Sequence, residues 1–263
     1  MKTEILSLLP AGFAWRERIF CFDTIDSTNT HCKALALQGA PHGTVVIAGH
    51  QTGGRGRLGR SFQSPAGLGV YLSVILRPQC TPGELMHLTC ATGVAMCNAV
   101  SHAAGFRPGI KWTNDLVIQN RKLGGILTEL VTTPQGLAAV VGIGINCNQE
   151  ISDFRSDIQS FAGSLAMVTG QKTAPATLAA AMITALKNMD DILLTEKAAI
   201  MEQYRKDCIT VGQEVSLVRG ETHRRGYAYG IDENGALLVR WPDGQEEAVS
   251  SGEISVRGMY GYI

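Results

Sequence analysis

The sequence lacks several things, and each absence removes a class of protein. There is no charge excess: 23 Lys and Arg balance 23 Asp and Glu across 263 residues. A duplex-binding surface needs a basic surplus, so nucleic acid is not the expected partner. There is no CxxC pair; the seven cysteines lie apart, at 21, 32, 80, 90, 97, 147 and 208. Structural zinc sites use closely paired ligands. Most of these cysteines sit among apolar neighbours, and they read as buried free thiols in a reducing compartment. No apolar run approaches the ~20 residues that cross a bilayer. Ahead of Pro10 the apolar stretch is only Ile5, Leu6, Leu8 and Leu9, too short for a signal-peptide core. A cytoplasmic protein with no membrane partner is expected. No internal repeat and no low-complexity tract is present. With 45% apolar residues, the chain can build one large domain, or one large and one small.

What is there is concentrated in Gly53-Gly54-Arg55-Gly56-Arg57-Leu58-Gly59-Arg60, where four glycines and three arginines share a stretch without an acid. Glycine lets a backbone turn at positive φ and approach a ligand closely. Arginine supplies planar donor forks suited to carboxylate and phosphate. The stretch reads as a loop that closes over an anion.

Taken in order, residues 1 to 20 read as a lead-in. Ser27 or Thr28 caps a helix that runs to Gln38 and stops at Gly39. Thr44 to Ala48 and Val70 to Leu76 read as strands flanking the loop. Thr81-Pro82-Gly83-Glu84 is a capping-box signature opening an apolar helix that ends at Gly105. Ile110 to Trp112, Leu116 to Ile118, Lys122 to Val131 and Leu137 to Asn146 form a meander of strands. Residues 150 to 170 are irregular, and 175 to 206 helical in two pieces. From Gly212 short strands alternate with turns at 232–235 and 242–244, as in a small β-barrel or sandwich. The expected fold is α+β, a mostly antiparallel sheet with flanking helices. Its expected units are 1–210 and 211–263.

Gly54, Gly56 and Gly59 formally match the dinucleotide fingerprint. That fingerprint needs a helix opening inside it and an acid farther on. Here Pro65 and a β-rich run follow, so the dinucleotide reading fails, and no Gly-Lys-Ser/Thr completes a P-loop. Three other clusters stand out. Lys111-Trp112-Thr113-Asn114-Asp115 joins a cation, an aromatic, an amide and a carboxylate. Arg121 and Lys122 open a strand that then carries Gly124 and Gly125; strand glycines mark close approach of a ligand or backbone. Gly142, Gly144 and Asn146 share one strand face. They either leave it bare for a heterocycle or make room for a helix. Together these groups suit a nucleoside triphosphate beside a second anion. Fixed cations lower the barrier to joining a carboxylate to an α-phosphate, and a closing loop keeps water from the acyl-adenylate formed.

On these residues the sequence resembles the biotin–protein ligases. Gly53 to Arg60 matches the family's Gly-Arg-Gly-Arg loop, Lys111 to Leu116 its Lys-Trp-Pro-Asn-Asp-Leu motif, and Lys122 to Glu129 its Lys-Leu-x-Gly-Ile-Leu-x-Glu strand. Gly142 to Asn146 matches its Gly-x-Gly-Ile-Asn strand and Ser27-Thr28-Asn29 its Ser-Thr-Asn segment. The resemblance implies a class II synthetase-like, biotin–lipoate ligase core followed by an SH3-like β-barrel. It implies that biotin and MgATP give biotinyl-5′-adenylate and pyrophosphate. The biotinyl group then passes to one lysine of a carrier domain, such as that of acetyl-CoA carboxylase.

Carried over by position, Ser27, Thr28, Asn29 and Gln51 would hold biotin, with Arg55, Gly56 and Arg57 covering it and the phosphate. Lys122 would stand at the reacting centre, with Lys111 on phosphate charge and Asp115 toward the incoming amine. Asn114 and Asn146 would lie near adenosine and metal-bound phosphates, Phe62 on the adenine, and Arg60 beside the nucleotide. Mg2+ would ride on the ATP phosphates without a protein cage of its own, and no tightly bound prosthetic group is implied. Thr113 departs from the family's proline but removes no reacting group. Few residues precede Ser27, so the DNA-binding, repressor half of bifunctional members is expected to be missing. A strand edge could pair two protomers into a homodimer. A lipoate or octanoate ligase on the related fold and a non-catalytic biotin sensor are the competing readings.

Overall fold

The computed structural model describes residues 1–219, 222–250 and 252–256. Of the expected second unit, residues 220, 221, 251 and 257–263 lie outside the described residues. Seven strands form the main sheet: β1 (Ile19–Ile25), β2 (Thr44–Gln51), β3 (Gly69–Leu76), β4 (Gly109–Lys111), β5 (Asp115–Ile118), β6 (Arg121–Thr133) and β7 (Gly136–Asn146). Their order is β1-β2-β3-β7-β6-β5-β4. Only the β1–β2 pair is parallel. A parallel pair needs a crossover, and helix α2 (Thr28–Leu37) supplies it.

β3 is buried along its whole length because helices cover both faces. On one face α3 (Leu88–Ala104) and α5 (Pro175–Ile192) pack with Leu72, Val74, Val141 and Ile143 into the large core. Helices α1 (Lys2–Leu8) and α6 (Lys197–Asp207) extend that layer, and α4 (Leu165–Thr169) follows the irregular stretch after β7. On the other face Cys32 and Ala36 of α2 pack on Val46, Ile75, Ala138 and Val140.

Most of the expected elements form where the sequence places them. Ser27 caps α2 by accepting the Thr30 N–H, and Gly39 and Gly105 turn at positive φ after their helices. Three expectations change. The lead-in contains α1 and the first two residues of β1, a strand the sequence reading did not place; it is a half-exposed edge strand whose apolar alternation is weak. The capping box at Thr81 opens a single 3-10 turn over residues 82–85, and α3 begins only at Leu88. The tail forms a five-stranded antiparallel sheet of β8 (Gln213–Arg219), β9 (Thr222–Ile231), β10 (Leu237–Arg240), β11 (Glu246–Val249) and β12 (Glu253–Val256). Its order is β11-β10-β9-β8-β12, and its edge strands do not pair among the described residues, so no closed barrel forms there. No helix among the described residues is long and apolar enough to cross a membrane.

One irregularity positions the site. Between β5 and β6 the register shifts, from Leu116 opposite Gly124 to Val117 opposite Lys122, with Leu123 left over. Such a bulge re-aims the side chains beyond it. Strict alternation would put Lys122 and Gly125 on opposite faces; the bulge turns Lys122 to the face of Asp115 and Gly125 while Leu123 enters the core. Gly124 has no room to change, since a Cβ there would sit 2.3 Å from the Gly144 carbonyl oxygen. Gly124→Ala is therefore expected to lower unfolding free energy by about 1–3 kcal/mol, measured by urea denaturation; an unchanged midpoint would show that the bulge adapts freely.

Candidate active site

Every residue given a binding or catalytic role from the sequence lines one cavity of about 650 Å³, on the α2 face of the main sheet, whereas Arg121 and Gly124 stand outside its lining. That volume is in the range of small-molecule sites. Six cationic side chains line it (Arg55, Arg57, Arg60, Lys111, Lys122, Arg155) against two carboxylates (Asp115, Asp157), so it favours anions.

The floor is one cross-strand row. Tyr71 pairs with Gly144, Gly144 with Gly125, Gly125 with Asp115, and Asp115 with Lys111. Paired residues point to the same face, so two glycines lie between an aromatic and a charged end. At that end Lys122 Nζ donates to Asp115 Oδ1 at 2.6 Å, over the bare Gly125. Lys122 is also held by its backbone. Its N–H donates to the Phe161 carbonyl at 2.6 Å, and its carbonyl accepts from Gly163 N–H at 2.9 Å. This anchors the 154–162 segment as the cavity's outer wall, with Phe154, Ile158 and Phe161.

The opposite end is a polar network at the start of α2. The Thr28 N–H donates to Gln51 Oε1 at 2.8 Å, and Gln51 Nε2 donates to Ser64 Oγ at 2.9 Å. Asn29 Nδ2 donates to Glu129 Oε2 (3.0 Å) and to the Leu127 carbonyl (3.2 Å), while Ser73 Oγ donates to Asn29 Oδ1 (2.6 Å). Glu129 also takes Lys33 Nζ at 2.9 Å and lies 3.4 Å from Arg55. Burial works to raise the Glu129 carboxyl, but the hydrogen bonds from Lys33 and Asn29 and the charges of Lys33 and Arg55 outweigh it. They hold it below the usual carboxylate range.

The glycine–arginine loop leaves β2 and folds back on itself. Gly56 N–H donates to the Arg60 carbonyl at 2.7 Å, and Phe62 N–H to the Gly54 carbonyl at 2.8 Å. Gly54 is obligatory, because a Cβ would meet the Phe62 carbonyl oxygen at 2.3 Å. Arg57 reaches across the cavity, its guanidinium donating to Asn114 Oδ1 at 2.9 Å, and Asn114 Nδ2 donates to the Ile126 carbonyl at 2.9 Å. The loop arginine is thereby tied to the Lys111–Asp115 segment.

The two readings of Gly142 and Gly144 resolve into a third. Gly142 makes room for the Asn29 amide, whose oxygen lies 1.9 Å from where a Cβ would be, and Gly144 makes room for the Phe62 ring. Asn146 is buried, donating to the Gly163 carbonyl and accepting from Gln149 Nε2. Sequence reasoning missed Ser73, Gln63 and the 154–162 wall. Ser73 had a signal, a single hydroxyl within the apolar run of β3. Gln63 had none; it bonds twice to the wall, donating to the Asp153 carbonyl and accepting the Arg155 N–H. Two residues of the C-terminal sheet region, Gly252 and Ile254, also line the cavity.

Similarity to known proteins coincides with this geometry. Residues 21–146 match the biotin/lipoate A/B protein ligase family, and residues 210–257 match the biotin protein ligase C terminal domain. The chain is 31% identical over 253 residues to the bifunctional ligase/repressor BirA of Bacillus subtilis, covering 95% of this chain and 75% of that protein. It is 30% identical over 253 residues to the biotin–[acetyl-CoA-carboxylase] ligase of Mycobacterium tuberculosis, covering 94% and 91%. A biotin protein ligase from Aquifex aeolicus, solved in complex with biotin and ATP, has the same fold (TM-score 0.78, 28% identity, covering 92% of this chain and 99% of that one). With such identity sustained over nearly its whole length and the same fold beneath it, this chain belongs to the biotin protein ligase family.

Proposed function

We propose that the chain is an ATP-dependent biotin–protein ligase acting on the carrier domain of a biotin-dependent carboxylase. It has a catalytic unit over 1–210 and a C-terminal unit over 211–263. The observation that carries this reading is the polarity of this cavity: a hydrogen-bonding end at Thr28 and Gln51, backed by the buried Ser73, and a cationic end at Arg57, Lys111 and Lys122. A cyclic urea suits the first end and a carboxylate beside a triphosphate the second. An alkyl or dithiolane chain would leave the buried polar groups of the first end without a ligand partner, at a cost in affinity.

In the first step a carboxylate oxygen of biotin attacks the α-phosphorus, and pyrophosphate leaves. Lys122 would stand between the two anions, offsetting their repulsion as the bond forms, and Lys111 and Arg57 would take up phosphate charge. Mg2+ would arrive with the triphosphate. Phe62 would meet the adenine, Arg60, Asn114 and Asn146 would border the nucleotide, and Arg55 and Gly56 would cover biotin with Arg57. Ser27 and Asn29 would shape the biotin end. In the second step the carrier lysine amine attacks the acyl carbon and AMP leaves. Asp115, exchanging its bond to Lys122 as that ammonium turns to the anions, would orient that amine and accept its proton. The seven free thiols suit a cytoplasmic setting.

Incubating a carrier domain with biotin, MgATP and this protein should add one biotinyl group to one lysine by mass spectrometry. Transfer of lipoate in preference to biotin would overturn the substrate assignment. Lys122→Ala should slow biotin-dependent pyrophosphate release by roughly 100-fold or more while the protein stays folded; a near-normal rate would remove Lys122 from the reacting centre. Arg57→Gly breaks the bridge to Asn114 and should let the adenylate escape, so that bystander proteins become labelled. Labelling confined to the carrier lysine would show that Arg57 is no lid.

A further inference from the structure

The Lys111–Asp115 segment supplies four cavity residues, of which Lys111, Asn114 and Asp115 carry the polar groups. Its backbone between them is held from behind by a distant part of the chain. The Trp112 N–H donates to Thr210 Oγ1 at 2.9 Å, and the Trp112 indole N–H donates to the Gly235 carbonyl at 2.8 Å. Tyr204 Oη donates to the Thr113 carbonyl at 3.1 Å. Just upstream, Ile209 N–H donates to the Ile110 carbonyl at 2.9 Å. Both Trp112 bonds are buried, so neither group has water as a substitute partner.

The turn that presents the Gly235 carbonyl is itself pinned. Asp232 Oδ1 accepts the N–H groups of Asn234 and Ala236, Lys197 Nζ donates to Asn234 Oδ1 at 2.7 Å, and Arg205 donates to the Ile231 carbonyl at 2.8 Å. Gly235 has φ +91, and a Cβ on it would lie 2.6 Å from Cys90 Sγ, so the turn sits directly on α3.

We infer that residues 204–210 and the 232–235 turn form a clamp that positions Lys111, Asn114 and Asp115 for adenylate formation, with Thr210 as its central positioning residue. Thr210 touches no cavity residue's reacting group; it acts through the Trp112 backbone. Two links carry the position onward: Asn114 to Arg57 of the loop, and Asp115 to Lys122. The polar end at Thr28 and Gln51 has no part in the clamp. The end of the catalytic unit and one turn of the C-terminal unit thereby set the geometry of the cationic end together. This inference rests on the ligase reading for its kinetic consequence but not for its structural one.

The test compares Thr210→Val, which keeps the volume and loses the acceptor, with Thr210→Ser, which keeps the acceptor. Thr210→Val should lower kcat for biotin-dependent pyrophosphate release at least tenfold with KM for biotin within twofold. It should also speed amide hydrogen exchange at Trp112–Asp115, and Thr210→Ser should restore both to within twofold of wild type. Val239→Ala, buried in the C-terminal sheet away from the clamp, should lower the melting midpoint and leave kcat unchanged. The clamp is overturned if Thr210→Val leaves exchange at Trp112–Asp115 unchanged. It is equally overturned if Val239→Ala costs as much kcat as Thr210→Val, or if the loss appears in KM for biotin. A wild-type protein that releases no pyrophosphate would defeat the ligase reading instead, and the exchange measurement would still judge the clamp.

Discussion

The site depends on one hydrogen-bonded ion pair, Lys122 Nζ to Asp115 Oδ1 at 2.6 Å, and on the bulge that makes it reachable. Neighbouring strands put residues of equal parity on one face, and a one-residue shift exchanges faces. Without the extra residue at Leu123, the Lys122 ammonium would point into the α3 layer, where an unpaired charge is untenable. With it, leucine enters the core and the ammonium lies over a glycine floor. Gly124 and Gly125 serve different ends here. The first permits the backbone to close on the Gly144 carbonyl, and the second leaves space beneath the ion pair.

Around that pair the cavity is cross-braced by elements far apart in sequence. The loop is tied to the Lys111–Asp115 segment through Arg57 and Asn114, and to the polar end through Arg55, Glu129 and Asn29. The outer wall hangs from Lys122 at one end and Gln63 at the other. Exposed arginine–carboxylate contacts are individually weak, so the loop can be repositioned when an anion competes for its guanidinium groups. The buried bonds to Trp112 and Asn29 are of the other kind. Breaking them strands polar groups without water, which makes the cavity walls stiffer than the loop that covers them.

Much of this was legible in the sequence because it is local. The α2 cap at Ser27 and the stops at Gly39 and Gly105 follow from backbone preferences of single residues. Position 142, 144 and 146 on one face follows from strand parity. What escaped was non-local or weakly patterned. β1 is a half-exposed edge strand, the Gln63 contacts join positions ninety or so residues apart, and the wall at 154–162 has no periodicity. The glycines of β7 were legible as room for something, but whether that was a ligand or a side chain depended on where α2 and Phe62 pack.

The sequence by itself determined the chemistry available: which cations, amides and carboxylates the chain carries, and which glycines permit backbones to approach. Residue type and near-neighbour spacing suffice for that, since ionisation, hydrogen-bonding capacity and turn preference are properties of short stretches. Only the tertiary structure decided how those groups are aimed. The register shift that turns Lys122 toward Asp115, the occupation of Gly142 by Asn29 and the hold of Thr210 and Gly235 on Trp112 all depend on pairing between distant segments. A one-residue change of register reverses a side chain's direction without altering its composition, and register is fixed by the whole packed sheet rather than by any stretch within it.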